Sequence, residues 1–248
     1  MKPYYDEGGI TLYLADCEEV LPHLEVVDLT ITSPPYNMGL VPGGNGRGMY
    51  RPGANNKGGR FRDGYGHHAD AMPQAEYDSW QRRVLALCWE ASRLGVFYNH
   101  RPRIEHGRVR FPLSLDFGDG PVLRQVITWD RGTGIDVHLR AFCTRGEWIM
   151  LFAKPEFFLR SHAASGMGDV WRFGPETAIS HHPAPFPLAL PARCIQAVPC
   201  ESVLDPFVGT GTTLVAAKAA GIKGIGIDIE ESYLEIAAKR LAQGVLAL

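Results

Sequence analysis

The sequence predicts an α/β fold built on one Rossmann-like, mostly parallel, doubly wound sheet, and three observations carry that prediction. The apolar run Val26-Val27-Asp28-Leu29-Thr30-Ile31 has the β-branched character of a buried parallel strand, and it stops at Pro34-Pro35, which have no N–H to give a ladder. Glu201 to Asp205 and Gly224 to Asp228 are two more such strands, joined by the turn Gly209-Thr210-Gly211 and a helix from Thr212 to Ala220. Ile10 to Ala15, then a short helix capped by Asp16, then the first run form a strand–helix–strand unit, whose crossover is right-handed.

At 248 residues and 45% hydrophobic, the chain can bury a core as a single domain spanning 1–248. No apolar run approaches a membrane span and the start lacks a signal peptide's apolar core, so a soluble, cytoplasmic protein is expected, with no membrane partner. The five cysteines are scattered without a Cys-x-x-Cys pair, which predicts reduced thiols and no metal site. A formal charge of −2 argues against gross electrostatic attachment to nucleic acid but says nothing of local distribution.

Residues 41–66 hold nine glycines, with Arg47, Arg51, Lys57, Arg60 and Arg62 against one acid, Asp63, and aromatic residues between them. Such a stretch cannot pack a core, and a flexible basic loop is expected over 41–75, either a flap that orders on a phosphate backbone or a solvated insertion. Apolar residues at three- and four-residue steps predict a helix over Tyr77 to Leu94, feeding a strand at Gly95 to Tyr98. Arg101, Arg103, Arg108 and Arg110 then read as a solvated basic face. Strands are expected at 122–130 and 148–153, and the mixed segment 157–180 is a candidate small target-recognition segment. The proline-rich His181 to Pro187 reads as a structured turn rather than a metal site, followed by a helix over 188–198. A last helix over 231–241 closes the chain.

Two places can do chemistry. The turn at Gly209 and Gly211 lets backbone approach a ligand, and the helix opening at Thr212 presents N–H groups suited to a negative group. Asp228, 23 residues after Asp205 at the end of the next strand, is placed to accept from a ribose diol. Together they describe a nucleoside-bearing cofactor without separating NAD from S-adenosylmethionine. The other place is the strand end Thr32-Ser33-Pro34-Pro35-Tyr36-Asn37, with a hydroxyl, rigid carbonyls and a ring.

Through Thr32-Ser33-Pro34-Pro35-Tyr36 and Asp205-Pro206-Phe207-Val208-Gly209-Thr210-Gly211-Thr212-Thr213, the chain resembles the S-adenosylmethionine-dependent, amino-methylating DNA methyltransferases. The catalytic motif precedes the cofactor motif, which is the permuted order of that family's β group. The likeness extends to Asp16, to Asp169-Val170-Trp171-Arg172, to His182-Pro183 with Phe186-Pro187, and to Gly226-Ile227-Asp228 with Tyr233 and Ala237.

The resemblance implies that Ser33, Pro34, Pro35 and Tyr36 form the catalytic turn. An exocyclic amine is a poor nucleophile because its lone pair is delocalised into the ring; the Pro34 carbonyl and Ser33 hydroxyl would accept its hydrogens while Tyr36 stacks on a base flipped from double-stranded DNA. It implies cofactor contacts at Asp16, Cys17, Asp205, Phe207, Gly209, Gly211, Thr212, Asp228 and Phe186, and direct methyl transfer without a covalent enzyme intermediate. Ser33 at the first motif position, and Phe186 where many adenine enzymes carry Lys, lean toward cytosine N4. Adenine N6 is the alternative, and a non-catalytic DNA-binding subunit a third reading. A homodimer and a cognate restriction endonuclease are partners the family suggests. Pro199-Cys200 superficially resembles the nucleophile of cytosine-C5 enzymes but precedes the cofactor strand, so it is rejected.

Overall fold

The structure is a computed structural model describing residues 1–37, 72–105, 108–112, 120–132, 142–174 and 187–243. Its strands are β1 (Tyr5–Glu7), β2 (Ile10–Leu14), β3 (Val27–Thr32), β4 (Ser92–His100), β5 (Arg103–Glu105), β6 (Arg108–Arg110), β7 (Leu123–Asp130), β8 (Gly146–Ala153), β9 (Val170–Arg172), β10 (Ser202–Asp205) and β11 (Lys223–Asp228). The helices are α1 (Cys17–Val20), α2 (Gln74–Glu90), α3 (His162–Ser165), α4 (Ala189–Ala197), α5 (Thr212–Ala220) and α6 (Glu231–Ala242). Nine strands form one sheet in the order β1-β2-β11-β10-β3-β4-β8-β7-β9, and β5 and β6 pair separately.

The central pairs β2/β11, β11/β10, β10/β3 and β3/β4 are parallel, and β8 runs antiparallel to both β4 and β7. A buried strand sends alternate residues to opposite faces. Phe97, Ile149, Leu151 and Val203 accordingly join the core under α4, α5 and α6, whereas Val96, Tyr98, Met150, Phe152 and Leu204 join the core under α1 and α2. Both faces are covered, which is why these strands are nearly continuously apolar.

Consecutive β2 and β3 are not neighbours: the C-terminal strands β11 and β10 lie between them. Close helix packing there depends on two strand glycines. A Cβ at Gly226 would come within 2.7 Å of Val208 Cγ2 and 2.8 Å of Leu214 Cδ1, and one at Gly224 within 2.8 Å of Leu214 Cδ2, so α5 can lie against β11 only because both are glycine.

Two expected boundaries move. The helix expected to run to Leu94 ends at Glu90, and β4 starts at Ser92 and continues to His100, because Ser92 pairs with Val27 and Leu94 serves a buried strand as well as a helix face. That helix also begins inside the 41–75 stretch, at Gln74. Within 157–180, the part through Gly174 lies along the sheet's edge: β9 pairs parallel with β7, Trp171 is buried, and Arg193 of α4 sits over the rings of Trp171 and Phe173. No helix among the described residues is long and apolar enough to cross a membrane.

Candidate active site

The carboxyl ends of β2, β11, β10, β3 and β4 and the amino end of β8 meet on one side of the sheet, where an open α/β fold binds its ligands. Every predicted site residue that the structure describes lies there. Arg47, Arg51, Lys57, Arg60 and Arg62, as well as Phe186 and the His181-His182 pair, fall outside the described residues.

Asp205 ends β10 fully buried and is the knot of the site. Its Oδ1 accepts from Thr32 Oγ1 at 2.7 Å and from the Phe207 N–H at 3.1 Å, and its Oδ2 accepts from Thr213 Oγ1 at 2.6 Å. Burial pushes its carboxyl up to about 6, against the lowering effect of those three donors. Asp205 therefore fastens the β3 end, the glycine turn and the start of α5 to one another. The turn itself needs its glycines: Gly209 and Gly211 sit at φ 50° and 85°, and a Cβ on Gly211 would meet Ala237 Cβ at 2.9 Å. Arg240 of α6 braces it from behind, donating to the Thr210 carbonyl at 2.6 Å.

Asp228 is half-buried at the end of β11. One oxygen accepts from the Gly209 N–H at 2.8 Å and the other from the Glu230 N–H at 2.9 Å, and burial again pushes the carboxyl up to about 6. Each oxygen retains a further lone pair. The Asp228 carbonyl accepts from the Ala15 N–H at 3.1 Å, bringing exposed Asp16 to the neighbouring strand end, where its side chain caps α1 through the Glu18 N–H at 2.8 Å. Beside them an open concavity of about 480 Å³ is lined by Leu14, Ile229, Glu230, Glu231, Ser232 and Glu235. A paired-acceptor carboxylate above a groove, next to a glycine turn and a helix N-terminus, is a donor and acceptor set that suits a nucleoside with a charged amino-acid tail. Cys17 is buried in the core under α2, its thiol pushed up by burial, and Phe207 meets Trp80 edge-on at 5.5 Å. Cys200 is also buried, its thiol pushed up to about 11, which leaves it unreactive.

Past the end of β3, the Tyr36 ring stacks on His100 with centroids 4.6 Å apart. Its hydroxyl reaches Asn99 Oδ1 at 3.0 Å, Glu147 Oε2 at 3.2 Å and Ser33 Oγ at 3.0 Å. The Asn99 amide is oriented by its own donation to the Trp148 carbonyl, and the Glu147 carboxylate pairs with Arg131 at 3.2 Å. Both Asn99 Oδ1 and the Glu147 oxygen can only accept, so the single Tyr36 proton goes to them and Ser33 donates to Tyr36. That assignment leaves the Ser33 lone pairs for an incoming donor.

The sequence reading missed Thr32, Tyr77, Asn99, His100, Arg103, Glu147 and Arg240. Thr32 opens the quoted motif but carries no assigned role in it, and Arg103, expected on a solvated basic face, is instead buried because its guanidinium is spent on the Tyr36 and Asn37 carbonyls and on Gln74. The others sit inside strand or helix patterns that core packing explains equally well. Only the polar Asn99-His100 pair, closing an otherwise apolar strand, was a visible signal.

A family model described as DNA methylase, covering N6 and N4 enzymes, matches residues 27–239. The type II methyltransferase M.ScaI of Streptomyces caespitosus is 27% identical, covering 97% of this chain and 84% of its own. M2.LlaDCHI of Lactococcus lactis subsp. cremoris is 28% identical, covering 98% and 93%. Among solved structures, the cytosine-N4-specific PvuII DNA methyltransferase superposes with a TM-score of 0.74 at 16% identity over 99% of this chain and 90% of its own. The M1.HpyAVI–SAM complex superposes with a TM-score of 0.59 at 20% identity over 94% of this chain and all of its own (100%). The chain belongs to the N6/N4 DNA methylase family of DNA methyltransferases.

Proposed function

We propose that this protein transfers the methyl group of S-adenosylmethionine to the exocyclic N4 amine of a cytosine flipped out of double-stranded DNA. The observation that carries the reading is the placement of Ser33 and Pro34 beside the Gly209–Asp228 unit, joined through Thr32 and Asp205. Asp228 would hold the ribose, Asp16 the adenine end, and Phe207 with the Gly209–Gly211 turn the methionine end, which Asp205 keeps in shape from within. Bound there, S-adenosylmethionine supplies a methyl group on a positively charged sulfur.

The protein's own contribution is to prepare the amine. Ser33, its proton given to Tyr36, accepts one amine hydrogen and the Pro34 carbonyl another, which draws the nitrogen lone pair out of conjugation with the ring. Both acceptors are directionally fixed, the carbonyl by the neighbouring proline rings, so little reorganisation is left for the transition state. Tyr36 would stack on the flipped base with its hydroxyl anchored at the β4 and β8 ends. The choice of cytosine N4 rests on Ser33 at the first motif position. The basic 41–66 stretch and the 157–180 segment are the proposed grips on DNA, and a homodimer and a cognate endonuclease remain proposals of the same reading.

The test is mass spectrometry of nucleosides from genomic DNA incubated with the protein and isotope-labelled S-adenosylmethionine. Labelled N4-methylcytosine is expected. N6-methyladenine alone would overturn the choice of base. No labelled nucleoside, together with no cofactor binding by calorimetry, would favour a non-catalytic DNA-binding subunit.

A further inference from the structure

We infer that His100 and Tyr77 are positioning residues: together they lock the Pro35–Tyr36 peptide, and so fix the direction of the amine-accepting turn. The inference rests on the reading of Ser33 to Tyr36 as the reaction centre.

The Tyr77 hydroxyl ties the ring of His100 to the turn. The Tyr77 hydroxyl lies 2.8 Å from the Pro35 carbonyl and 2.8 Å from His100 Nε2. A carbonyl can only accept, so Tyr77 spends its one proton on Pro35 and must itself accept from His100 Nε2–H. The other ring nitrogen, Nδ1, lies 2.8 Å from the Arg101 N–H and 2.9 Å from the Arg101 carbonyl. The tautomer with its proton on Nε2 is the one in which Tyr77 donates to Pro35, and in it Nδ1 accepts from the Arg101 N–H. Burial pushes the imidazole pKa down to about 3, with the charges of Arg103 and Arg101 acting in the same direction, so the ring is neutral throughout the physiological range.

This single buried ring holds two successive residues of the turn. Through Tyr77 it fixes the Pro35 carbonyl, and by stacking it backs the Tyr36 ring. The next two carbonyls are captured from the same side: Arg103 Nη1 donates to Tyr36 O at 3.0 Å and to Asn37 O at 2.7 Å, while its Nη2 is held by Gln74 Oε1 at 2.6 Å. Three carbonyls in a row, from Pro35 to Asn37, are thus aimed by α2, the end of β4 and the first residue of β5. Asn37 adopts φ 54° and pairs through its side-chain amide with both backbone groups of Met72, which anchors the far end of the turn to the start of α2. The space between Tyr77, His100, Arg103 and Arg110 amounts to about 10 Å³, at the lower limit for one water molecule, so the turn is backed by packed side chains.

The turn lies outside the strand ladders, so these contacts add to what the proline rings and the Thr32–Asp205 bond fix, and a misplacement of about 1 Å at a reacting group can cost ~100-fold in rate. The experiment is single-turnover methylation at saturating DNA and S-adenosylmethionine for Tyr77→Phe, His100→Leu and His100→Gln, with cofactor affinity by calorimetry and thermal midpoints measured in parallel. Tyr77→Phe and His100→Leu are expected to slow the methyl-transfer step by about 10-fold or more while cofactor affinity stays within about 2-fold. His100→Gln, whose amide can still donate to Tyr77, should recover much of the rate. Wild-type rates in both Tyr77→Phe and His100→Leu would overturn the inference. So would a fall in rate matched by an equal loss of cofactor affinity, which would mark general collapse of the site. A wild-type protein that methylates no base overturns the proposed function instead, which separates the two failures.

Discussion

Thr32 Oγ1 donates to Asp205 Oδ1 at 2.7 Å, joining the ends of two adjacent strands whose residues lie 173 positions apart in the chain. The bond ties the Ser33–Tyr36 turn and the glycine turn together, because Asp205 also holds Phe207 N–H and Thr213. In the proposed function, a methyl group presented over the second turn would meet an amine held by the first.

Thr32→Val keeps the shape and removes the donor. It leaves a fully buried carboxyl oxygen short of a partner and should cost ~1.5–3 kcal/mol, as hydrogen bonds to charged groups do. Urea unfolding with an unchanged m-value reads it, and a loss below about 0.5 kcal/mol would mean that Asp205 is satisfied without Thr32.

Asp205 gives a pH signature of definite sign. Its folded-state pKa of about 6 lies above the ordinary 3.8, so between those values the folded protein binds more protons than the unfolded chain. Stability from this group is therefore full below about pH 4, falls as pH rises toward about 6, and is flat above, with a total on the order of 3 kcal/mol at most. Urea midpoints across that range should decline more steeply in wild type than in Asp205→Asn, where Asp228, also raised to about 6, still contributes a decline of the same sign; parallel curves for the two proteins would contradict the raised pKa of Asp205.

Asp228→Ala removes the proposed ribose acceptor and should weaken S-adenosylmethionine binding by about 10–100-fold, equivalent to ~1.4–2.8 kcal/mol. DNA affinity measured without cofactor should be unchanged. Equal cofactor affinity in calorimetry would remove Asp228 from the cofactor site.

Gly211→Ala combines a left-handed φ of 85° with a Cβ only 2.9 Å from Ala237 Cβ. The backbone term alone is ~1–2 kcal/mol, and α6 must shift to relieve the contact. Chemical denaturation should show a loss of at least that size, accompanied by weaker cofactor binding.

Tyr36→Phe keeps the ring on His100 but takes away the hydroxyl that receives the Ser33 proton. Turnover should fall with cofactor affinity intact, and Tyr36→Ala should lose a further ~1–3 kcal/mol of base stacking in binding to DNA carrying an unpaired target base. Wild-type turnover in Tyr36→Phe would show that the orientation of Ser33 is immaterial.

The sequence by itself determined the strands and helices that frame the site, since buried parallel strands are continuous apolar runs and Gly209-Thr210-Gly211 and Pro34-Pro35 punctuate them unmistakably. It also carried both functional motifs and their permuted order. It could not say that β10 and β11 would lie between β2 and β3, because strand order is a property of packed helices and close glycine contacts such as Gly226 on Leu214 rather than of any local pattern. Nor could it pick out His100 or Tyr77, whose side chains look like ordinary strand and helix residues, or Arg103, which reads as part of a solvated basic face, until the fold brings them behind the turn. Local periodicity is written along the chain, whereas the direction in which a carbonyl or a hydroxyl points is set by partners tens of residues away, and only the tertiary structure decides it.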